Sequence, residues 1–182
     1  LSQKQILIIN KYCIKKKIKF LATAFDIENL KFLLKLGMDF IKIPSGEITN
    51  FPLLKEVAKM NKKVILSTGM SNNNEIQNAL NVFKKYNLAK KKIILLHCTS
   101  NYPASEDEVN ISSIAHLKKK FNLEVGYSDH TIGNEAANIS VAYGARIFEK
   151  HFTISKKMVG PDHAASLNPN ELKNYINSLR KS

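Results

Sequence analysis

Cysteine is scarce in this chain: Cys13 and Cys98 are the only two, far apart and in no CxxC pair. That excludes a disulfide framework and a cysteine-based zinc site, and it suits a reducing cytoplasm, where the protein is expected to reside. Arginine is nearly missing too, since the 28 basic residues include only Arg146 and Arg180 and are otherwise lysine. Long apolar runs are absent. Stretches such as Ile6-Leu7-Ile8-Ile9 and Ile93-Ile94-Leu95-Leu96 stop at four residues, far short of the roughly 18 that a membrane-spanning helix needs. No leader of the secretory type is expected either, because the first apolar run is too short and lysines follow it. No GxGxxG follows any apolar run and no HExxH occurs, which removes the dinucleotide fingerprint and the zincin motif. What remains is 182 residues at 44% hydrophobic and 24% charged, enough to bury the core of one globular domain.

The net charge of +13 raises a nucleic-acid reading. Base-edge recognition and bidentate phosphate contacts favour arginine over lysine, and no basic stretch here interleaves aromatics as single-strand binders do. The runs Lys15-Lys16-Lys17, Lys90-Lys91-Lys92 and Lys118-Lys119-Lys120 each precede an apolar run. They read as solvated helix ends, where cations suit the helix dipole. Neither nucleic acid nor a membrane is expected as a partner.

Short β-type runs alternate with amphipathic stretches along the chain. Strands are expected at Lys19 to Phe25, Phe40 to Pro44, Lys63 to Ser67, Ile93 to Cys98, Glu124 to Ser128 and Ala145 to His151. Apolar residues at three- and four-residue spacing mark helices between them, as in Leu30, Leu33, Leu34 and in Leu53, Leu54, Val57, Ala58. Asn72-Asn73-Asn74 before Glu75, and Asn168 before Pro169 and Glu171, are helix starts. Strands apolar on both faces, alternating with helices, predict a parallel sheet. Their spacing of 21 to 31 residues fits the units of a (β/α)8 TIM barrel. Six units after an N-terminal helix, Gln3 to Lys16, amount to a barrel without its first two strands, covering about strands 3 to 8.

In such folds the chemistry gathers where strands end. The expected ends are polar: Thr23 and Asp26; Lys42, Ser45 and Glu47; Ser67 and Thr68; His97 to Ser100; Ser128, Asp129 and His130; Glu149, Lys150 and His151. Each alone is explained by the capping habits of Ser, Thr and Asp, but all six together are not. Lys42 stands inside the apolar run Phe40 to Pro44. It is either a snorkelling or Glu47-paired lysine, or a lumen cation that binds an anion or forms a Schiff base. His130 and His151 close consecutive strands, and two imidazoles with water or substrate suit a divalent transition metal; singly, each reads as an ordinary half-buried histidine. A small phosphorylated acid fits these scattered hydroxyls and the lysine.

At these residues the chain resembles the sialic acid synthases, the N-acetylneuraminate synthase family that includes the legionaminic and pseudaminic acid synthases. The matching stretches, in family order, are Phe20-Leu-Ala-Thr-Ala-Phe-Asp26, Ile41-Lys-Ile-Pro-Ser-Gly-Glu-Ile48, Ile65-Leu-Ser-Thr-Gly-Met70, Leu96-His-Cys-Thr-Ser100, Gly126-Tyr-Ser-Asp-His-Thr131, Glu149-Lys-His-Phe152 and Gly160-Pro-Asp-His163. The resemblance implies that residues 1–182 are a partial TIM-barrel catalytic domain, with the family's first two strands and C-terminal antifreeze-like (SAF) domain absent. It implies a condensation of phosphoenolpyruvate with an N-acetylated amino sugar, such as N-acetylmannosamine or a diacetamido trideoxy hexose, that releases phosphate. Phosphoenolpyruvate would be held by Thr23, Lys42, Ser45, Ser67 and Ser128, with Ser100 or Asn101 at the phosphate. Glu47 would serve as proton carrier, Asp162 would contact the amino sugar, and Lys42 would act as a charge and not a nucleophile. His130 and His151 would hold manganese, with cobalt or magnesium as substitutes, and a homodimer is implied for the full-length protein. Two rivals stand beside this reading: a Schiff-base aldolase using Lys42 or Lys150, and a basic nucleic-acid-binding module.

Overall fold

The computed structural model describes residues 1–182. Its strands are β1 (Phe40–Ile43), β2 (Lys63–Ser67), β3 (Ile93–Cys98), β4 (Glu124–Asp129) and β5 (Phe148–Lys150), ordered in the sheet as in the chain. Every ladder with a defined register is parallel, as an alternation of strands and helices requires. The helices are α1 (Gln3–Lys15), α2 (Ile27–Lys35), α3 (Phe51–Lys59), α4 (Asn73–Lys85), α5 (Ser113–Phe121), α6 (Glu135–Ala142) and α7 (Pro169–Leu179). The chain divides into two compact units, residues 1–66 with 74–93, and residues 67–73 with 94–182.

In the first unit, each helix buries the face its spacing defines. Asp26 caps α2 by accepting from the Asn29 N–H at 2.8 Å, and Leu30 and Leu33 go inside. Asn50 does the same for α3 through Leu53, which buries Leu53, Leu54, Val57 and Ala58. On β1 the pleat sends Ile41 and Ile43 to one face and Lys42 to the other; all three are buried. One expected strand does not form: residues 19–25 carry no strand, and the N–H of Ala22 meets the Met38 sulfur at 3.3 Å. A pattern of apolar residues supplies an extended segment, but a strand also needs a ladder for its backbone groups. Six expected strands are therefore five.

In the second unit, β3 and β4 pair from Ile94↔Glu124 to Cys98↔Ser128. Gly126 lets β5's lead-in approach closely, since a Cβ there would lie 2.4 Å from the Ile147 carbonyl oxygen. The last strand is shorter than the expected Ala145 to His151, with only Phe148–Lys150 in the ladder. Helix α5 ends at Asn122 in the left-handed conformation (φ 50°). Helix α7 opens on the expected Asn168 and Glu171, which form a reciprocal capping box with Pro169 at the first position. The lysine runs sit as expected at the ends of α1 and α5, whereas Lys90–Lys92 forms a separate 3-10 turn ahead of β3.

Candidate active site

Residues with the expected site types cluster most densely where β4 and β5 end. Ser128 lies opposite Glu149 in the ladder, and its hydroxyl donates to Glu149 Oε1 at 2.7 Å. Alternation puts His130 and His151, two residues further on, on the same face. Their ring centroids are 5.5 Å apart and nearly perpendicular. His130 Nδ1 contacts the Thr99 carbonyl at 2.6 Å; a carbonyl only accepts, so Nδ1 carries the proton. Nε2 stands 3.2 Å from the Ser128 oxygen, whose single hydrogen is already directed at the closer carboxylate. The Nε2 lone pair is thereby left for another electrophile. Burial, and after it the charge of His151, hold the His130 pKa below the ordinary histidine value despite the opposing Thr99 bond, so the imidazole is neutral at neutral pH. These are the properties a metal-ligating histidine needs, and the donor pair fits a divalent cation.

Tyr102 was not among the residues singled out from the sequence. Its ring lies 4.2 Å from that of His130 and 5.3 Å from that of His151, centroid to centroid. Burial first, then the charges of Cys98, Asp162 and Glu149, raise its hydroxyl pKa. Asp162, on an exposed loop, is thus within electrostatic reach of this ring, while its own carbonyl accepts from Ser166 at 2.7 Å. In the same loop Gly160 (φ 152°) leaves room for the His163 ring, which a Cβ would meet at 2.8 Å.

Ser67 ends β2 with its hydroxyl buried, 3% exposed and without a hydrogen-bond partner. An orphaned buried hydroxyl costs free energy, and a ligand oxygen would satisfy it. Next to it, Thr68 is committed to the Leu96 carbonyl at 3.0 Å. Of the alternatives after β3, Asn101 is exposed and its amide donates to Glu108 at 2.7 Å, whereas Ser100 is half-buried.

In the first unit, Lys42 is buried on β1. Ser45 and Glu47 share the 3-10 turn that follows, half-buried, with Glu47 Oε2 accepting from Asn50 at 2.6 Å. Thr23 is exposed, in the stretch that forms no strand. Lys150 is fully engaged: its ammonium donates to Asp129 at 2.8 Å and to the Thr131 carbonyl at 2.6 Å. Its side chain lies on the face away from Glu149 and His151, which counts against Lys150 as the nucleophile of the aldolase rival.

The NeuB family model matches residues 1–182. The chain belongs to the NeuB family. It is 51% identical over 180 residues to an N,N'-diacetyllegionaminic acid synthase of Campylobacter jejuni, a match that covers 99% of this chain and 53% of that protein. A namesake from Legionella pneumophila is 46% identical over 165 residues, covering 90% and 46%. Among solved structures, the N-acetylneuraminic acid synthetase of Leptospira borgpetersenii, in complex with citrate, superposes with a TM-score of 0.93 at 39% identity, over 100% of this chain and 62% of that one. The fold is accordingly an α/β partial barrel of the TIM type with five parallel strands. This NeuB chain spans about half the length of the curated relatives it matches.

Proposed function

We propose that the full-length protein is a phosphoenolpyruvate-dependent synthase of a nine-carbon sugar acid, and that its amino sugar is a diacetamido trideoxy hexose of the legionaminic type. The observation that carries the reaction class is the seating of four motif-matched groups, Ser128, His130, Glu149 and His151, on one face at two neighbouring strand ends. The names of the relatives at 51% and 46% identity favour the legionaminic sugar over N-acetylmannosamine.

His130 and His151 would hold a divalent cation, manganese by preference, which when bound polarises a carbonyl oxygen of the sugar. The chain's own residues orient the partners. The orphaned Ser67 hydroxyl donates to the enol phosphate and gains the bond it lacks, and Ser128 joins it by turning its single hydrogen from Glu149 to the ligand. Ser100 joins them, since the Asn101 amide is drawn to Glu108. From the first unit this reading takes Lys42 as a fixed positive charge for phosphoenolpyruvate, with Thr23 and Ser45 as further donors. Carbon 3 of phosphoenolpyruvate attacks the sugar's aldehyde carbon, whose oxygen takes up a proton. Water then adds at the cationic carbon 2, Glu47 carries away its proton, and the bond from carbon 2 to the phosphate oxygen breaks as phosphate leaves. Asp162 meets the amino sugar, and the working unit is a homodimer.

Phosphate release by the full-length protein, with phosphoenolpyruvate, manganese and each candidate sugar in turn, tests this. The expected result is turnover with the diacetamido trideoxy hexose that chelator abolishes and manganese restores. Turnover with N-acetylmannosamine alone overturns the sugar assignment; trapping of substrate on the protein by borohydride, with indifference to chelator, overturns the reaction class.

A further inference from the structure

Asp129 and Lys150 are the last paired residues of β4 and β5 and lie directly opposite one another in the register. Alternation turns their side chains to the face away from Ser128, His130, Glu149 and His151. There Lys150 Nζ donates to Asp129 Oδ2 at 2.8 Å and to the Thr131 carbonyl at 2.6 Å. The hydroxyl of Tyr175, from α7, donates to the same carboxylate oxygen at 3.0 Å. The other oxygen receives the Thr131 N–H at 2.9 Å and the Thr131 hydroxyl at 2.7 Å. Side-chain exposure is 4% for Lys150 and 0% for Asp129, and the ammonium lies 5.2 Å from the centre of the Tyr175 ring.

Nothing in the proposed chemistry uses this network. A buried ion pair is a poor source of stability compared with apolar packing; what it supplies well is register. The β4–β5 ladder has three rungs, Tyr127↔Phe148, Ser128↔Glu149 and Asp129↔Lys150. His130 and His151 come one residue later, past the last rung. Their carbonyls are taken by different partners, the N–H groups of Ala104 and Leu167, each at 2.9 Å. The distance between the two imidazoles therefore depends on how firmly the terminal rung is held, and the ion pair clamps that rung from the opposite face.

We propose that the Asp129–Lys150 pair, steadied by Thr131 and Tyr175, is a positioning device that sets the spacing of His130 and His151 for one shared divalent cation. This rests on the reading of those histidines as the metal pair. Removing both charges together, as Asp129→Asn with Lys150→Met, avoids a lone buried charge.

Manganese affinity of the full-length protein, read by electron paramagnetic resonance, tests the device, with cobalt absorption reporting coordination geometry. The double variant should melt cooperatively yet bind manganese with a Kd raised about 10- to 100-fold, the usual range for lost outer-shell support, and with an altered cobalt spectrum. Tyr175→Phe should shift the Kd in the same direction by less. A double variant that folds and binds within twofold of wild type, while His130→Ala loses the metal, overturns the positioning role and leaves the metal pair standing. Wild-type affinity in His130→Ala overturns the metal reading and this inference with it. Should the double variant fail to fold, Tyr175→Phe decides: a severalfold weaker Kd in a cooperatively melting protein supports the clamp, and an unchanged Kd overturns it.

Discussion

A polar side chain withdrawn from water has to be accounted for, and in this chain a buried serine, a half-buried histidine and a buried lysine differ in their surroundings. Ser67 has no partner, His97 has a backbone one, and Lys42 is a cation inside an apolar run. If Lys42 offsets the charge of phosphoenolpyruvate, Lys42→Met in the full-length protein should raise the phosphoenolpyruvate KM and cut kcat by about 10²-fold or more, as loss of one placed transition-state charge does. Steady-state kinetics check it; normal turnover at ordinary substrate concentration would show the role to be wrong. His97 donates through Nε2–H to the Val109 carbonyl at 2.7 Å and stacks on Tyr127, and burial outweighs that bond to hold its pKa below the ordinary histidine value. A histidine kept neutral in the folded state binds its proton first in the unfolded state. Stability should therefore fall as pH drops below about 6.5 and stop falling once the folded-state pKa is passed, with a slope of at most about 1.4 kcal/mol per pH unit from this residue. His97→Gln should flatten that part of the stability profile measured by urea melts between about pH 7 and pH 5. An unchanged slope would assign the acid sensitivity to other groups.

Among the elements, β4 is the one with least tolerance. Five of its six residues are buried, and Gly126 faces backbone, so a new Cβ could not be absorbed by a side chain moving aside. Gly126→Ala should destabilise by about 1–3 kcal/mol, the ordinary cost of overpacking, and should weaken manganese binding as well, because the same strand carries the rung before His130. Thermal melts and metal titration check both parts. At the start of α7, Asn168→Ala should cost about 1 kcal/mol through loss of the capping box, a smaller effect that chemical melts would resolve. The helices were legible because capping and three- and four-residue spacing are local. Strands were legible only where a partner existed: β1 to β5 arose at apolar runs, whereas residues 19–25 had the pattern without the ladder.

On the scale of the whole chain, charge and apolar exposure oppose each other. Ile8, Tyr12, Ile14, Ile18 and Phe25 are each more than half exposed along α1 and the stretch after it, a surface that favours association. The net charge of +13 resists it over a screening length of about 30 Å at roughly 0.01 M salt, but only about 8 Å at roughly 0.15 M. The 182-residue chain by itself should thus sediment as a monomer at low salt and as larger species near physiological salt. A monomer under both conditions would show that this surface does not self-associate. The same chain is expected to release no phosphate from phosphoenolpyruvate, since it spans about half of the relatives it matches and catalysis of this kind falls by orders of magnitude with each missing group. No helix is long and apolar enough to cross a membrane.

What the sequence determined by itself was everything governed by near neighbours: the βα alternation, the cap at Asn168, and the pair of histidines that follow consecutive strands. Only the tertiary structure decided that Tyr102 lies against both imidazoles, that Ser67 ends without a partner while Thr68 has one, and that Lys150 is spent on Asp129. It also brought Tyr175 to a carboxylate 46 residues earlier in the chain. Periodicity reports which face a residue takes, because that follows from backbone geometry within a few residues. It says nothing of which distant side chain shares that face, because that is set by how strands register and helices dock once the apolar surface is buried.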